Sequence, residues 1–210
     1  MELADREGID ALTMRRLAAA LDVEAMSLYH HVPNKEAVLD GVAELIVEEI
    51  RAEADGTEKP DPVEDWAATL RSMLLAARRV QMRHKWAPAV IATRSHMSPT
   101  IIGWFDEVLG VMHAGGFSWD LAHHSMHAIG SQALGFVQEM FVPASPEAEE
   151  ANDEMFEAMI EHFPNLAAMM AEISHDSEED TLGWCDDQTE FEFSVDVLLD
   201  GLERRRLAQN

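Results

Sequence analysis

Apolar residues recur at steps of three and four along most of the chain, and short polar interruptions cut that pattern into helices. Met14, Leu17, Ala18 and Leu21 fall at i, i+3, i+4 and i+7, which predicts a short helix capped by Thr13. Asp22 follows at a turn position suited to a left-handed backbone, which Asp tolerates better than most residues. A second short helix is predicted from about Glu24, with Val23 and Leu28 facing the first. Ala25, Met26, Ser27, Tyr29 and His30 then point outward, spaced to enter a DNA major groove. Asn34 caps the next helix, and Lys35 in its first turn can grip a phosphate together with backbone N–H groups. The pair reads as a helix-turn-helix.

The helix opened by Asn34 is expected to run to about Ala54, with Val38, Val42, Leu45, Ile46 and Ile50 on its inner side. Residues 55–62 have linker composition, so a domain boundary is placed there, dividing residues 1–54 from 60–210. Beyond it, helices are predicted over 63–84, 87–94, from Ser98-Pro99 to Gly115-Gly116, and from Trp119 to about Val142, where Pro143 stops the last. An acidic pair over 147–174, divided at Pro164, and a polar loop over 175–187 precede a final helix over 188–208. No strand-like alternation of useful length and no internal repeat is visible. The fold class is all-α: an N-terminal three-helix domain with the helix-turn-helix, and a larger helical domain.

The runs Leu12-Thr13-x-Arg15-x-Leu17-Ala18 and Ser27-Leu28-Tyr29-x-His31-Val32-x-Asn34-Lys35 resemble the DNA-binding domain of the tetracycline-repressor (TetR) family. The resemblance implies that Ala25, Met26 and Ser27 read bases, with Thr13, Tyr29, His31 and Lys35 on phosphates and Arg15 and His30 in the same interface. Family members usually carry a complete first helix, often after a basic arm. Residues 1–8 match only the end of that helix, closed by Gly8, which leaves two readings: a chain truncated at its start, or a naturally short helix in a weakened domain.

More loosely, residues 60–210 resemble the family's ligand-binding and dimerisation domain, through Asp65-Trp66, Thr93-Arg94, Gly116-Phe117-Ser118 and Leu134-Gly135. In tetracycline-binding members a Mg²⁺-chelated drug is held by histidines and a glutamate. Alignment puts Val90 and Ser131 where two of those histidines are expected and leaves Glu139 as the acid. An isopropyl group in place of the metal-binding imidazole argues against Mg²⁺–tetracycline, so no cofactor is expected and the pocket should be more apolar. Met73, Ala77, Val90, Trp104, Phe105, Ser131 and Gln132 are the candidate lining, with Arg94 and His127 as polar anchors. The final helix carries Phe191, Val195, Leu198 and Leu202 at steps of three and four, a seam that the resemblance assigns to a homodimer. A two-fold dimer suits a palindromic operator.

Charge complicates this picture. The chain has 15 Lys+Arg against 40 Asp+Glu, a net −25, and residues 1–50 alone hold four bases and eleven acids. Phosphate affinity comes largely from counterion release by Lys and Arg, so modest affinity and steep salt dependence are expected. The one cysteine, Cys185, allows no internal disulfide, and no apolar run approaches the ~20 residues of a membrane span. A cytoplasmic location without membrane contact is expected.

Three functions remain open. The first is a one-component DNA-binding regulator, a repressor released by a small apolar or aromatic effector. The second is a helical ligand-binding dimer that has lost DNA binding, and the third a metal-dependent helical protein using His123, His124 and His127. Two imidazoles at i, i+4 can share a metal, but structural zinc wants four ligands and catalytic zinc usually three. The chain lacks the HExxH, GxSxG, GxxxxGK[ST] and GxGxxG motifs, so no enzyme is expected.

Overall fold

The structure, a computed structural model, describes residues 1–94, 97–135, 162–173 and 187–209, and among these there are helices and turns but no strand. α1 (Glu2–Glu7) and a 3₁₀ turn (Ile9–Ala11) lead into α2 (Met14–Ala20), α3 (Ala25–Tyr29) and the long α4 (Lys35–Asp55). α5 (Trp66–Arg83), α6 (Ala87–Thr93), α7 (Pro99–Ala114) and α8 (Trp119–Gly135) follow. α9 spans Pro164–Ile173 and α10 spans Asp187–Leu207. None of these helices is long and apolar enough to cross a membrane.

Helix starts are written in polar side chains that accept the orphan N–H groups of the first turn. Thr13 Oγ1 accepts from the Arg16 amide at 3.2 Å, Asn34 Oδ1 from Ala37 at 2.9 Å and Asp65 Oδ1 from Ala68 at 2.9 Å. Ser98 and Ser118 cap α7 and α8 in the same way. Asp22 has φ 53°, the left-handed turn residue between α2 and α3.

Two compact units divide the chain: residues 1–137 with 192–210, and residues 138–191. In the first, Leu3, Leu12, Leu39, Val42, Ile46 and Ile50 pack in one core with Ala77, Val80, Trp86, Val90 and Ile101. That core runs from α1 and α4 into α5, α6 and α7, so the boundary at 55–62 is a turn in the chain and not a gap in the packing. Ile46 and Leu70 are fully buried, each worth about 1.5–3 kcal/mol relative to exposure. In the second unit α9 buries Ala167 and exposes Met169.

Several expectations need correction. Leu21 and Val23 do not close the helix-turn-helix: both are exposed, and Ala18 and Leu28 are its buried residues. Val23 lies in the turn before α3, which spans only Ala25–Tyr29, so helical spacing does not carry it to the side of Leu28. Leu45 is likewise exposed, on the outer side of α4. Along α10, Val195 and Leu202 are buried within the chain itself, as is Phe191, with Leu198 half-buried. They fill the protomer's own interior and are not available as a seam for a second subunit. Cys185, Glu139, the end of the helix expected to reach Val142, the segment 147–161 and the loop up to residue 186 lie outside the described residues.

Candidate nucleic-acid interface and its link to the helical domain

α3 presents an outer surface of small, apolar and aromatic groups. Met26 is 70% exposed and Tyr29 46% exposed, while Ser27, His30 and His31 are also open and Ala25 is half-buried. Met26 and Tyr29 thus stand open on the short helix, where a thioether and a phenol can meet a partner. Leu28, the inward residue of the same helix, accepts from the His31 and Val32 amides at 2.9 and 2.8 Å and fixes the exit towards Asn34. Thr13 and Arg15 are exposed at the start of α2, and Lys35 opens α4 half-buried. Neither Arg15 nor Lys35 has a side-chain partner among the described residues, whereas the neighbouring Arg16 is engaged by Glu7. Of the four bases in residues 1–50, Arg15 and Lys35, both placed in the DNA interface by the sequence, are the ones without a side-chain partner among the described residues.

Four of the eleven acids in residues 1–50 are held in ion pairs with arginine. Glu7 pairs with Arg6 and Arg16, Glu36 and Asp40 with Arg94, and Glu49 with Arg83. Just beyond, Glu53 binds Arg79 at 2.8 Å and Arg83 at 3.0 Å. Hydrogen bonds from those two arginines hold its carboxyl below the usual range. The helical domain thus supplies arginines that pair with Glu36, Asp40, Glu49 and Glu53 of α4, and α3 itself carries no acid. Asp22 and Glu24, beside α3, form no ion pair among the described residues.

Arg94 is therefore not the ligand anchor that was expected. Its guanidinium lies 2.9 Å from Glu36 and 3.2 Å from Asp40 on α4, and its Nε donates to the Val90 carbonyl at 3.3 Å. With the side chain only 9% exposed, its Nε and Nη1 are committed to these partners. The end of α6 is tied by this residue to the first turns of α4, directly beside Lys35.

Of the candidate lining residues, Met73, Ala77 and Val90 are buried and Trp104 is half-buried against the common core. Gln132 donates to Ser194 at 2.5 Å, joining α8 to α10. Phe105, His127 and Ser131 are exposed. His123, His124 and His127 are exposed too, with the His123 and His127 rings 4.9 Å apart in an edge arrangement. Among the described residues no three His, Cys, Asp or Glu groups are placed to hold a metal ion.

A second polar cluster was not legible in the sequence. His84, after α5, lies 2.6 Å by Nδ1 from Asp5 of α1 and 3.1 Å by Nε2 from Glu49 of α4. The Trp86 indole also donates to Asp5, at 2.6 Å. Burial alone would raise the Asp5 carboxyl, but the bonds from His84 and Trp86 outweigh it and hold the group below the ordinary aspartate range. The partners are 79, 35 and 81 residues apart, so no local spacing could reveal them.

Known proteins share this arrangement. The chain is 34% identical over 120 residues to an HTH-type transcriptional regulator of Saccharopolyspora erythraea, a match covering 56% of this chain and 47% of that protein. It is 27% identical over 212 residues to the HTH-type transcriptional repressor DrrR1 of Streptomyces coeruleorubidus, covering 97% of this chain and 74% of the relative. Apo ActR of Streptomyces coelicolor superposes with a TM-score of 0.78 at 23% identity, covering 100% of this chain and 93% of that one, a likeness of fold. Residues 1–42 match the profile of bacterial regulatory proteins of the tetR family, and residues 59–206 match the tetracyclin repressor-like C-terminal domain. With an open recognition helix at one end and both family profiles spanning most of its length, the chain belongs to the TetR family of transcriptional regulators.

Proposed function

We propose that this protein is a one-component transcriptional repressor that acts in the cytoplasm as a homodimer on a palindromic operator and is released by a small apolar or aromatic effector. The exposed outer face of α3, with Met26 and Tyr29 open beside uncommitted Lys35 and Arg15, is the observation that carries this reading. Ala25, Met26 and Ser27 read base edges, Met26 through thymine methyl groups, while Thr13, Arg15, Tyr29, His30, His31 and Lys35 position the backbone. The relative DrrR1, named a repressor, supports the sign of regulation.

Release needs two states that the effector binds unequally. Met73, Ala77, Val90, Trp104 and Phe105 are candidate contacts for it, on α5, α6 and α7. A ligand that shifts α6 pulls on Arg94, and through Glu36 and Asp40 on the N-terminal turns of α4, where Lys35 sits. Displacement there changes the aim of α3. The dimer surface is assigned to the outer faces of α8 and α10, where His123, His127 and Ser131 are exposed and Phe193 and Val197 are 65% and 54% exposed.

Selection of bound sequences from a randomised duplex pool tests the proposal. It should enrich two inverted half-sites with centres one helical turn, or a multiple of one, apart. A pool that stays random after selection at low salt would refute DNA recognition and favour the ligand-binding dimer.

A further inference from the structure

The bridge Asp5–His84–Glu49, built around a buried imidazole, is not part of the recognition surface, yet it joins three elements at one ring. Asp5 comes from α1, Glu49 from the middle of α4, and His84 from the corner between α5 and α6. A neutral imidazole has one N–H and one lone pair, so it can satisfy only one of two carboxylates; serving both requires N–H groups at Nδ1 and Nε2. Contacts of 2.6 and 3.1 Å lie on opposite sides of the ring, and both are hydrogen bonds to carboxylates only when each nitrogen carries a proton.

We propose that Asp5, His84 and Glu49 form a proton-held latch that fixes α1 and α4 of the DNA-binding segment to the α5–α6 corner, so that operator affinity responds to pH through His84. This inference rests on the repressor reading given above. While the ring is protonated it holds both carboxylates; when it loses a proton, one carboxylate faces a nitrogen lone pair and that side opens.

The surrounding charges fit this role. From α1 the ring meets Asp5, which also lies in the field of the Met1 amine and accepts from Trp86. From α4 it meets Glu49, with Glu53 close by, and Arg83 of α5 binds both glutamates. Arg83 holds Glu49 in place without filling the Nε2 position, and Lys85 on the corner is exposed. Because Trp86 shares the Asp5 oxygen and its ring lies 5.6 Å from that of His84, the state of the latch is reported by the indole.

The test follows the Trp86 indole N–H resonance of the full chain by NMR between about pH 5.5 and about pH 8.5, with operator affinity at about pH 6 and about pH 8. In the wild type the resonance should move in one step, and operator affinity should fall about fivefold more on raising the pH than in His84→Gln. His30 and His31 contribute equally to both proteins, so the difference isolates His84. Glu49→Gln is the conservative partner variant: an amide can donate to the neutral ring, so it should keep the fold and lose the excess pH response. An indole resonance that does not change with pH, or equal pH responses in wild type and both variants, would overturn the latch. A titrating indole without operator binding at either pH would instead overturn the repressor reading.

Discussion

Arg94 and Glu36 stand 58 residues apart in the chain, yet the guanidinium of one meets the carboxylate of the other at 2.9 Å. The pair joins the last turn of the effector-domain helix α6 to the first turn of α4, beside the lysine assigned to DNA phosphate. Replacing Arg94 with Ala should leave a folded protein, weaken operator binding, and lessen any effector-driven release. The buried guanidinium faces carboxylates that remain partly solvated, so the loss should be about 1 kcal/mol. Operator affinity with and without effector, measured by anisotropy, checks this.

Lys35 is held by its backbone position and not by a side-chain partner. Lys35→Ala should weaken binding to all sequences alike and reduce the slope of log affinity against log salt by about one. A change confined to one operator sequence would reassign the residue to base reading.

Gly115 marks a contact with no room to spare. A Cβ added there would lie 2.5 Å from the Trp66 Cβ, on a ring that packs edge-on to Phe117 and donates to Glu203. Gly115→Ala should destabilise by about 1–3 kcal/mol through overpacking, visible as a lower Tm without altered DNA specificity. An unchanged Tm would show that α7 and α5 can separate at no cost.

Acid should loosen the junction before the rest of the core. The native Asp5 carboxyl is depressed relative to its unfolded value, so its contribution is present above the ordinary aspartate range and lost as pH falls through the native value. Glu203 is depressed as well, through hydrogen bonds from Arg206 and despite partial burial, and behaves with the same sign. Urea midpoints measured at falling pH should drop more steeply in the wild type than in Asp5→Asn. Parallel curves would remove Asp5 from the account.

The helical caps and the helix-turn-helix were legible because their signals are local. Thr13, Asn34 and Asp65 each bond an amide three residues on, and Asp22 marks the left-handed turn within its own segment. Which face of a helix turns inward was less legible where helices are short or doubly apolar. Val23 was misplaced because it lies in the turn before α3, and Val195 and Leu202 because α10 is apolar on two faces and only packing decides between them. Arg94 and His84 carry no local signal at all, since a polar side chain's partners depend on which helices the fold brings together. The partners of Glu36, Asp40, Glu49 and Glu53 were hidden for the same reason, because the arginines that meet them come from the domain beyond α4.

The central claim is that α3 reads DNA despite a net charge of −25. Fluorescence anisotropy of the purified chain on the DNA upstream of its own gene, at several salt concentrations, tests it most directly. Saturable binding that exceeds random DNA of equal length and weakens linearly in log salt is the predicted result. Equal binding to both duplexes, or none at low salt, would contradict the account.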